Sequence, residues 1–265
     1  MSSRSEAASR TEKAPTPAVS VVMPCFNAAK TLEAAIESIQ TQTFQDWELI
    51  IVDDGSHDDS VKIMERAAAR DRRLRLLRQT HSGIVRALQT GSALARGPFI
   101  ARMDADDLAQ PERLARQYAY MQEHPDVALC GTHVRMFGAR IGAGRARYEA
   151  WINGLRSHDD IARDLFIECP IAHPAFFLRR EPFERVGGYE ERGWAEDYDL
   201  CMRLFLNGAR FGMVPEPSAS LEGIARPLVD DRRALFTGSI PCIEALLSRA
   251  FVPSRAQTFS PMGRG

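Results

Sequence analysis

The feature that most constrains this chain is a unit repeated between residues 18 and 123: a short apolar, β-branched run, a polar break, then a stretch with apolar residues at helical spacing. Ala18 to Met23 reads as a strand ending at Pro24, and Ala28 to Gln42 as a helix carrying Leu32, Ala35, Ile36 and Ile39 on one face. The unit returns as strand Glu48 to Val52 with helix Ser60 to Ala69, then strand Leu74 to Leu77 with helix Ile84 to Ala95. It returns again as strand Phe99 to Met103 with helix Pro111 to Glu123. Near-continuous apolar strands joined by amphipathic helices predict an α/β, Rossmann-like fold, with a mostly parallel central sheet and helices on both faces. Ligands of such sheets bind beyond the carboxyl ends of the strands, where strand order reverses. Chemistry is therefore expected just after each strand.

Downstream, Val127 to Thr132 reads as a strand, Gly138 to Gly144 as a glycine-broken loop, Asp160 to Ile167 as a short helix and Ala175 to Arg179 as a strand. Glu196 to Leu206 follows as a helix, with a strand near Phe211 to Val214. From Glu216 the pattern is less regular, and Arg232 to Ala250 carries a weak helical period broken by Gly238 and Pro241. Residues 1–17 are rich in Ser, Ala, Arg and Pro without periodicity and read as a flexible tail.

Composition narrows the class. With 45% hydrophobic and 26% charged residues the chain is neither disordered nor fibrous. A net charge of -1 offers no global field for a nucleic-acid polymer, which is excluded as an expected partner. Arg72 to Arg78, interleaved with leucines, reads as a strand with one solvated face. The five cysteines lack any paired or zinc-like spacing, and an odd count suits reduced thiols. No apolar run approaches the ~18 residues of a spanning helix, and the first residues have no apolar leader core. The expected setting is cytoplasmic.

Three strand ends carry polar clusters: Pro24, Cys25, Phe26 and Asn27; Asp53, Asp54, Gly55 and Ser56; and Asp104, Ala105, Asp106 and Asp107. Carboxylates gathered in one crevice need a cation or donor to meet them. In an extended segment Asp104 and Asp106 face the same side while Asp107 turns toward the next helix, where a turn or cap role explains it equally well. Hard oxygen ligands suit Mg²⁺ or Mn²⁺, and a diphosphate is the natural completion. Asp53 is better explained as a turn residue. The Asp53-Asp54 pair also suits an aspartyl phosphatase or receiver domain, but only Lys62 follows it to neutralise phosphoryl oxygens.

Gly187, Gly188 and Tyr189 lead to Trp194, Glu196, Asp197 and Asp199. A helix start keeps Glu196 and Asp197 ionised, whether as caps or as bases, and Asp199 pairs with Arg203 one turn on. His57, His81, His124, His133 and His158 show no ligand spacing and are expected on the surface. His173, in the apolar segment CPIAHPAFF, is either a satisfied core residue or a pocket residue. Gly142-Ala143-Gly144 is a fragment of a dinucleotide fingerprint that joins no strand to a helix and carries no weight.

Taken together, VSVVMPCFNAAKTL, WELIIVDDGSHDDS, GPFIARMDADDLAQPERLARQ and GGYEERGWAEDYDLCMRL resemble, in order, the motifs of family 2 glycosyltransferases of the A-type, nucleotide-sugar-binding fold. The resemblance runs from about Val19 to Pro217 and implies a glycosyltransferase domain over residues 18–217. Residues 18–125 would bind the nucleotide-diphospho-sugar donor, residues 126–217 would face the acceptor, and residues 218–265 would form an extension. By position it sets Pro24, Phe26 and Asn27 around the nucleoside and gives Asp54 the uracil N3–H. It brings Asp104 to the ribose and Asp106 to a divalent metal, Mg²⁺ or Mn²⁺, on the diphosphate. Asp197 becomes the catalytic base of an inverting transfer, with His173, Trp194 and Glu196 on the acceptor side.

The implied reaction moves one sugar, from a UDP-sugar, to a glycan, lipid-linked or protein acceptor in cell-envelope polysaccharide biosynthesis. Peripheral contact with a membrane is left open. Many relatives complete the metal site with a histidine after the catalytic helix, whereas Ala225-Arg226-Pro227-Leu228 stands there and no histidine follows His173. That departure motivates an alternative, a catalytically degenerate module that binds a nucleotide sugar without turnover. The QxxRW pattern of processive relatives is absent as well.

Overall fold

The computed structural model describes residues 15–138 and 142–222. The tail before residue 15, the pattern at Arg232 to Ala250, and Arg226 and Leu228 lie outside the described residues. The repeated units form β1 (Val19–Cys25), α1 (Leu32–Gln40), β2 (Trp47–Asp53), α2 (Ser60–Arg70), β3 (Leu74–Arg78), α3 (Ile84–Ala93), β4 (Phe99–Arg102), β5 (Leu108–Ala109) and α4 (Arg113–Glu123). The second half adds β6 (Val127–Phe137), α5 (Ala143–Ile152), α6 (His158–Asp164), β7 (Phe177–Arg179), α7 (Arg180–Arg185), α8 (Glu196–Leu206) and β8 (Arg210–Glu222).

These strands build one sheet in the order β3-β2-β1-β4-β7-β6-β8-β5. β1 pairs in parallel with both β2 and β4, so the order reverses at β1 and opens a crevice beyond Cys25 and Arg102. β7 runs antiparallel to β4 and to β6, and β6 runs parallel to β8. The expected mostly parallel, two-faced sheet is present, with β7 reversed in its middle and β5, antiparallel to β8, reversed at its edge.

Alternation along the strands supplies both layers. Val21, Met23, Leu49 and Ile51 face α1, α2 and α4 through Leu32, Ile36, Ile39, Met64, Leu114 and Met121. Val22, Ile50 and Val52 face the other way, toward Val85 and Leu88 of α3, Phe183 of α7 and Leu200 of α8. In α1 the buried residues are Leu32, Ala35, Ile36 and Ile39, the stripe read from the sequence, and each large one contributes about 1.5–3 kcal/mol on burial. Gly91 lets α3 lie close against the sheet, because a Cβ there would come 2.5 Å from Val22 Cγ1.

Some boundaries differ from expectation. Residues 216–222 belong to β8, which runs on to Glu222 beside β6 and receives β5 on its other edge. Gly138 to Gly144 is not wholly loop: Ala143 begins α5. α6 spans His158–Asp164 rather than Asp160 to Ile167, because Ser157 and Asp160 form a reciprocal cap that fixes its start. The strand expected from Ala175 is confined to Phe177–Arg179, since Pro174 sits in a tight 3-10 turn over His173–Ala175. Among the described residues no helix is long and apolar enough to cross a membrane, and Cys25, Cys130, Cys169 and Cys201 are free and buried.

At the amino end of the sheet Glu48 is buried on β2. It accepts hydrogen bonds from Ser20 Oγ at 2.7 Å and from Arg96 N and Nε at 2.9 Å, and it pairs with Arg75 at 3.1 Å. Burial works to raise its pKa, but these donors hold the carboxyl below its ordinary value. The opposite, carboxyl end is where the polar clusters converge.

Candidate active site

A cleft of about 330 Å³ opens at the strand-order reversal, lined by Pro24, Phe26, Asn27, Asp54, Asp104 and Asp106 together with Thr31, His81 and Gly83. Three strand ends far apart in sequence thus meet at one rim. The loop after β1 is braced by the loop after β2. Asn27 adopts φ 51°, a left-handed conformation that asparagine tolerates, and its Oδ1 accepts from His57 N at 2.8 Å. Asn27 N and Ala28 N donate to Ser56 Oγ and Ser60 Oγ, both at 2.9 Å.

Asp54 is 3% exposed at the floor of the cleft. Its Oδ1 accepts from Gln79 Nε2 at 2.7 Å and Ser82 N at 2.9 Å, and its Oδ2 from Gly83 N at 2.9 Å with His81 Nδ1 also 2.9 Å away. Asp53 accepts from Ser56 N at 3.1 Å, the turn role expected of it. His81 is exposed, as expected, but it belongs to the cleft: its ring stacks on Phe26 with centroids 4.2 Å apart. His133 and His158, expected on the surface, are each partly buried, and burial pulls both imidazole pKa values down.

The segment after β4 carries the acidic cluster. Met103 N donates to Val22 O at 3.1 Å and Thr31 Oγ1 to Ala105 O at 3.0 Å, which seats the segment between β1 and the start of α1. One oxygen each from Asp104, Asp106 and Asp107 falls within 4.8 Å of the others. An octahedral ion with bonds of about 2.1 Å holds its ligand oxygens roughly 3–4 Å apart, so this all-oxygen set fits a hard divalent cation after a small contraction. Asp104 and Asp106 line the cleft, whereas Asp107 is buried and acts on Arg113 of α4.

Beneath the cluster lies Arg102, 3% exposed and ion-paired through Nη2 with Asp104 Oδ1. Its Nε and Nη1 are buried without a hydrogen-bond acceptor among the described residues. Burial opposes its charge, but Asp104, Tyr189 and Asp107 raise its pKa above the ordinary value. Arg113, fully buried, donates to the Arg102 carbonyl at 2.7 Å and has its own pKa lowered to about 10, chiefly by burial.

A second group surrounds the start of α8. His173 Nε2 lies within hydrogen-bond distance of Tyr189 Oη, 2.9 Å away, and its Nδ1 faces Glu196 Oε1 at 3.5 Å. Burial works to raise the Glu196 carboxyl, but His173, with Arg102 farther off, holds it down to about 2. Asp197 is half-buried and accepts from Tyr198 N at 2.7 Å. Burial and the Asp197 charge together raise the Glu168 carboxyl. Trp194 packs edge-on to Tyr198 at 5.6 Å. Asp199 and Arg203 form the expected pair, and Arg203 also holds the glycine turn through Val186 O and Gly188 O, both at 2.7 Å.

The structure therefore gathers Pro24, Phe26, Asn27, Asp54, Asp104 and Asp106 in one cleft and His173, Glu196 and Asp197 around a separate helix start, with Trp194 beside it. The latter four do not line the cleft. Arg102 and Tyr189 stand between the groups, each within electrostatic reach of the other and of Glu196.

The model of Glycosyl transferase family 2 matches residues 20–187, which spans every element from β1 to α7. The chain belongs to this family. The putative glycosyltransferase EpsE of Bacillus subtilis is 31% identical over 201 residues, covering 73% of this chain and 69% of that protein. Among solved structures, Staphylococcus aureus TarS 1-349 superposes with a TM-score of 0.65 at 19% identity over 77% of this chain and 60% of that one. The mannosyltransferase PcManGT of Pyrobaculum calidifontis, solved with GDP-Man and Mn²⁺, gives 0.62 at 22% identity over 78% and 57%. The chain thus spans less than two thirds of either solved protein, and both likenesses are likenesses of fold. As a glycosyltransferase of family 2, it places the strand-end residues of its motifs around one cleft.

Proposed function

We propose that this chain is an inverting glycosyltransferase that moves a single sugar from a nucleoside-diphosphate sugar to an acceptor hydroxyl. The observation that carries the reading is the cleft at the strand-order reversal, where an aromatic rim at Phe26 meets an oxygen-donor cluster at Asp104 and Asp106. Solved fold relatives with UDP-GlcNAc and with GDP-Man and Mn²⁺ support a nucleotide-sugar donor.

In this reading residues 18–125 bind the donor and residues 126–217 face the acceptor. Pro24, Phe26 and Asn27 border the nucleoside, Asp104 approaches the ribose, and Asp106 holds Mg²⁺ or Mn²⁺. The bound cation supplies charge neutralisation for the departing diphosphate. Asp197 takes the proton of the acceptor hydroxyl, whose oxygen bonds to the anomeric carbon as the carbon–oxygen bond to the diphosphate breaks on the opposite face. The leaving group takes the electron pair. His173, fixed by Tyr189, orients Glu196 beside that base, and Trp194 offers a flat surface to a sugar acceptor. The acceptor is a glycan, lipid-linked or protein hydroxyl in envelope polysaccharide assembly, reached in the cytoplasm or at a membrane surface.

Incubation of the purified protein with UDP- and GDP-sugars, Mn²⁺ and an acceptor array tests the reading through release of nucleoside diphosphate and a glycosylated product. Absence of binding and of release with every donor overturns it. Donor binding without transfer to any acceptor favours the alternative of a binding module without turnover.

A further inference from the structure

A guanidinium presents its N–H donors in a rigid fork and stays charged when buried. In Arg102 only part of that fork is used. Nη2 is ion-paired with Asp104 Oδ1, whereas Nε and Nη1 are buried and meet no hydrogen-bond acceptor among the described residues. Donors of a buried cation that go unmatched are costly, so a chain that keeps them has a second partner to offer.

The surroundings name that partner. Arg102 N donates to Phe176 O at 3.0 Å, which straps the residue to the end of the turn carrying His173. His173 has Tyr189 Oη 2.9 Å from one ring nitrogen and Glu196 Oε1 3.5 Å from the other. The groups whose charge acts on Arg102 are Asp104 and Asp107 in the acidic cluster and Tyr189 on the opposite side, while Arg102 acts in turn on Arg113 and Glu196. Glu196 is the carboxylate of this set that lies outside the cluster, in the first turn of α8, and it is held ionised. One cation thus stands between two carboxylates on different elements and is bonded to one of them.

Resting on the reading of a divalent cation at the acidic cluster, we propose that Arg102 is a positioning residue that exchanges partners: a cation that claims Asp104 frees the guanidinium to bond Glu196. The two carboxylates compete for one fork, and the metal removes one competitor. Linkage makes the effect reciprocal, since a Glu196 that draws Arg102 away leaves Asp104 open and tightens the cation by the same factor. Glu196, next to Asp197 in the chain, therefore takes its final position only once the cation is seated.

Spectra of the full chain labelled with nitrogen-15 arginine test this, with Mg²⁺ alone as the probe. Addition of Mg²⁺ should move the Arg102 Nε–H proton downfield as that donor gains a carboxylate. Asp104→Ala, which removes the competing partner, should give the same displacement without metal. In Glu196→Gln the response to Mg²⁺ should shrink by about half or more, and Mg²⁺ should bind about fivefold more weakly. In the Arg102→Met background the same Glu196 substitution should change Mg²⁺ affinity by less than about a factor of two, because no guanidinium is left to share. An Arg102 Nε–H unmoved by Asp104→Ala overturns the proposal, as does an equal loss of Mg²⁺ affinity from Glu196→Gln with and without Arg102. A displacement in Asp104→Ala with no response of the wild type to Mg²⁺ overturns instead the cation reading beneath it.

Discussion

The buried guanidinium of Arg102 is ion-paired with Asp104, the first carboxylate of the acidic cluster, from directly beneath the cleft. One internal cation thus offsets part of a cluster that a bound metal would otherwise have to neutralise. Arg102→Met should destabilise the protein by about 3 kcal/mol, because Asp107 and Asp104 lose their buried counter-charge. Added Mn²⁺ should then raise the melting temperature of the variant more than that of the wild type. Equal Mn²⁺-induced shifts in the two proteins would contradict this account of the pair.

Asp106→Ala removes a cleft-lining oxygen of the proposed cation site while leaving the Arg102–Asp104 pair in place. Donor and metal affinity should fall together, by tenfold or more for each in titrations of one in the presence of the other. A loss of metal affinity with donor affinity intact would separate the two sites.

Asp197→Asn retains bulk and a carbonyl able to accept from Tyr198 N but can no longer take a proton. Transfer should fall about 10²–10⁴-fold with donor affinity within a factor of two, measured by product formation and by calorimetry. Wild-type turnover in this variant would move the base elsewhere, with Glu196 next in line.

Glu48 supplies a pH-dependent part of the stability. Its folded pKa lies below the ordinary 4.5, so its contribution is complete above that value and is lost as pH falls through the folded pKa. Glu48→Gln should cost about 2–3 kcal/mol at pH 7, and the gap to wild type should narrow steadily below pH ~4.5 in denaturant melts. A gap that stays constant down to pH 3 would show that the charge of Glu48 is not what matters.

The first half of the fold was legible because its strands and helices announce themselves locally. α1 buries the four residues at helical spacing, and α8 begins and ends at Glu196 and Leu206 as read from the sequence. α5 was missed because Ala143–Ile152 has no apolar stripe, with Ile152 its sole fully buried residue. β8 was cut short because its later residues are held by pairing with β6 and β5, a contact that residues 216–222 do not signal by alternation. In the site, polar strand ends were read after β1, β2 and β4, and applying the same rule to β3 would have reached Gln79, His81, Ser82 and Gly83. Arg102 was equally visible, as a charge closing the apolar run of β4 beside the acidic cluster.

β7 joins β4 on one edge and β6 on the other, with Leu178 opposite Ile100 and Leu129. The portions before and after residue 125 therefore share a single woven ladder and have no seam along which they could be exchanged as modules. A chimera that imports the latter portion from a relative must keep this three-strand register intact. Variants that alter only the turns at the carboxyl ends of the strands carry no such requirement, so loop grafting is the practical route to redirecting this scaffold.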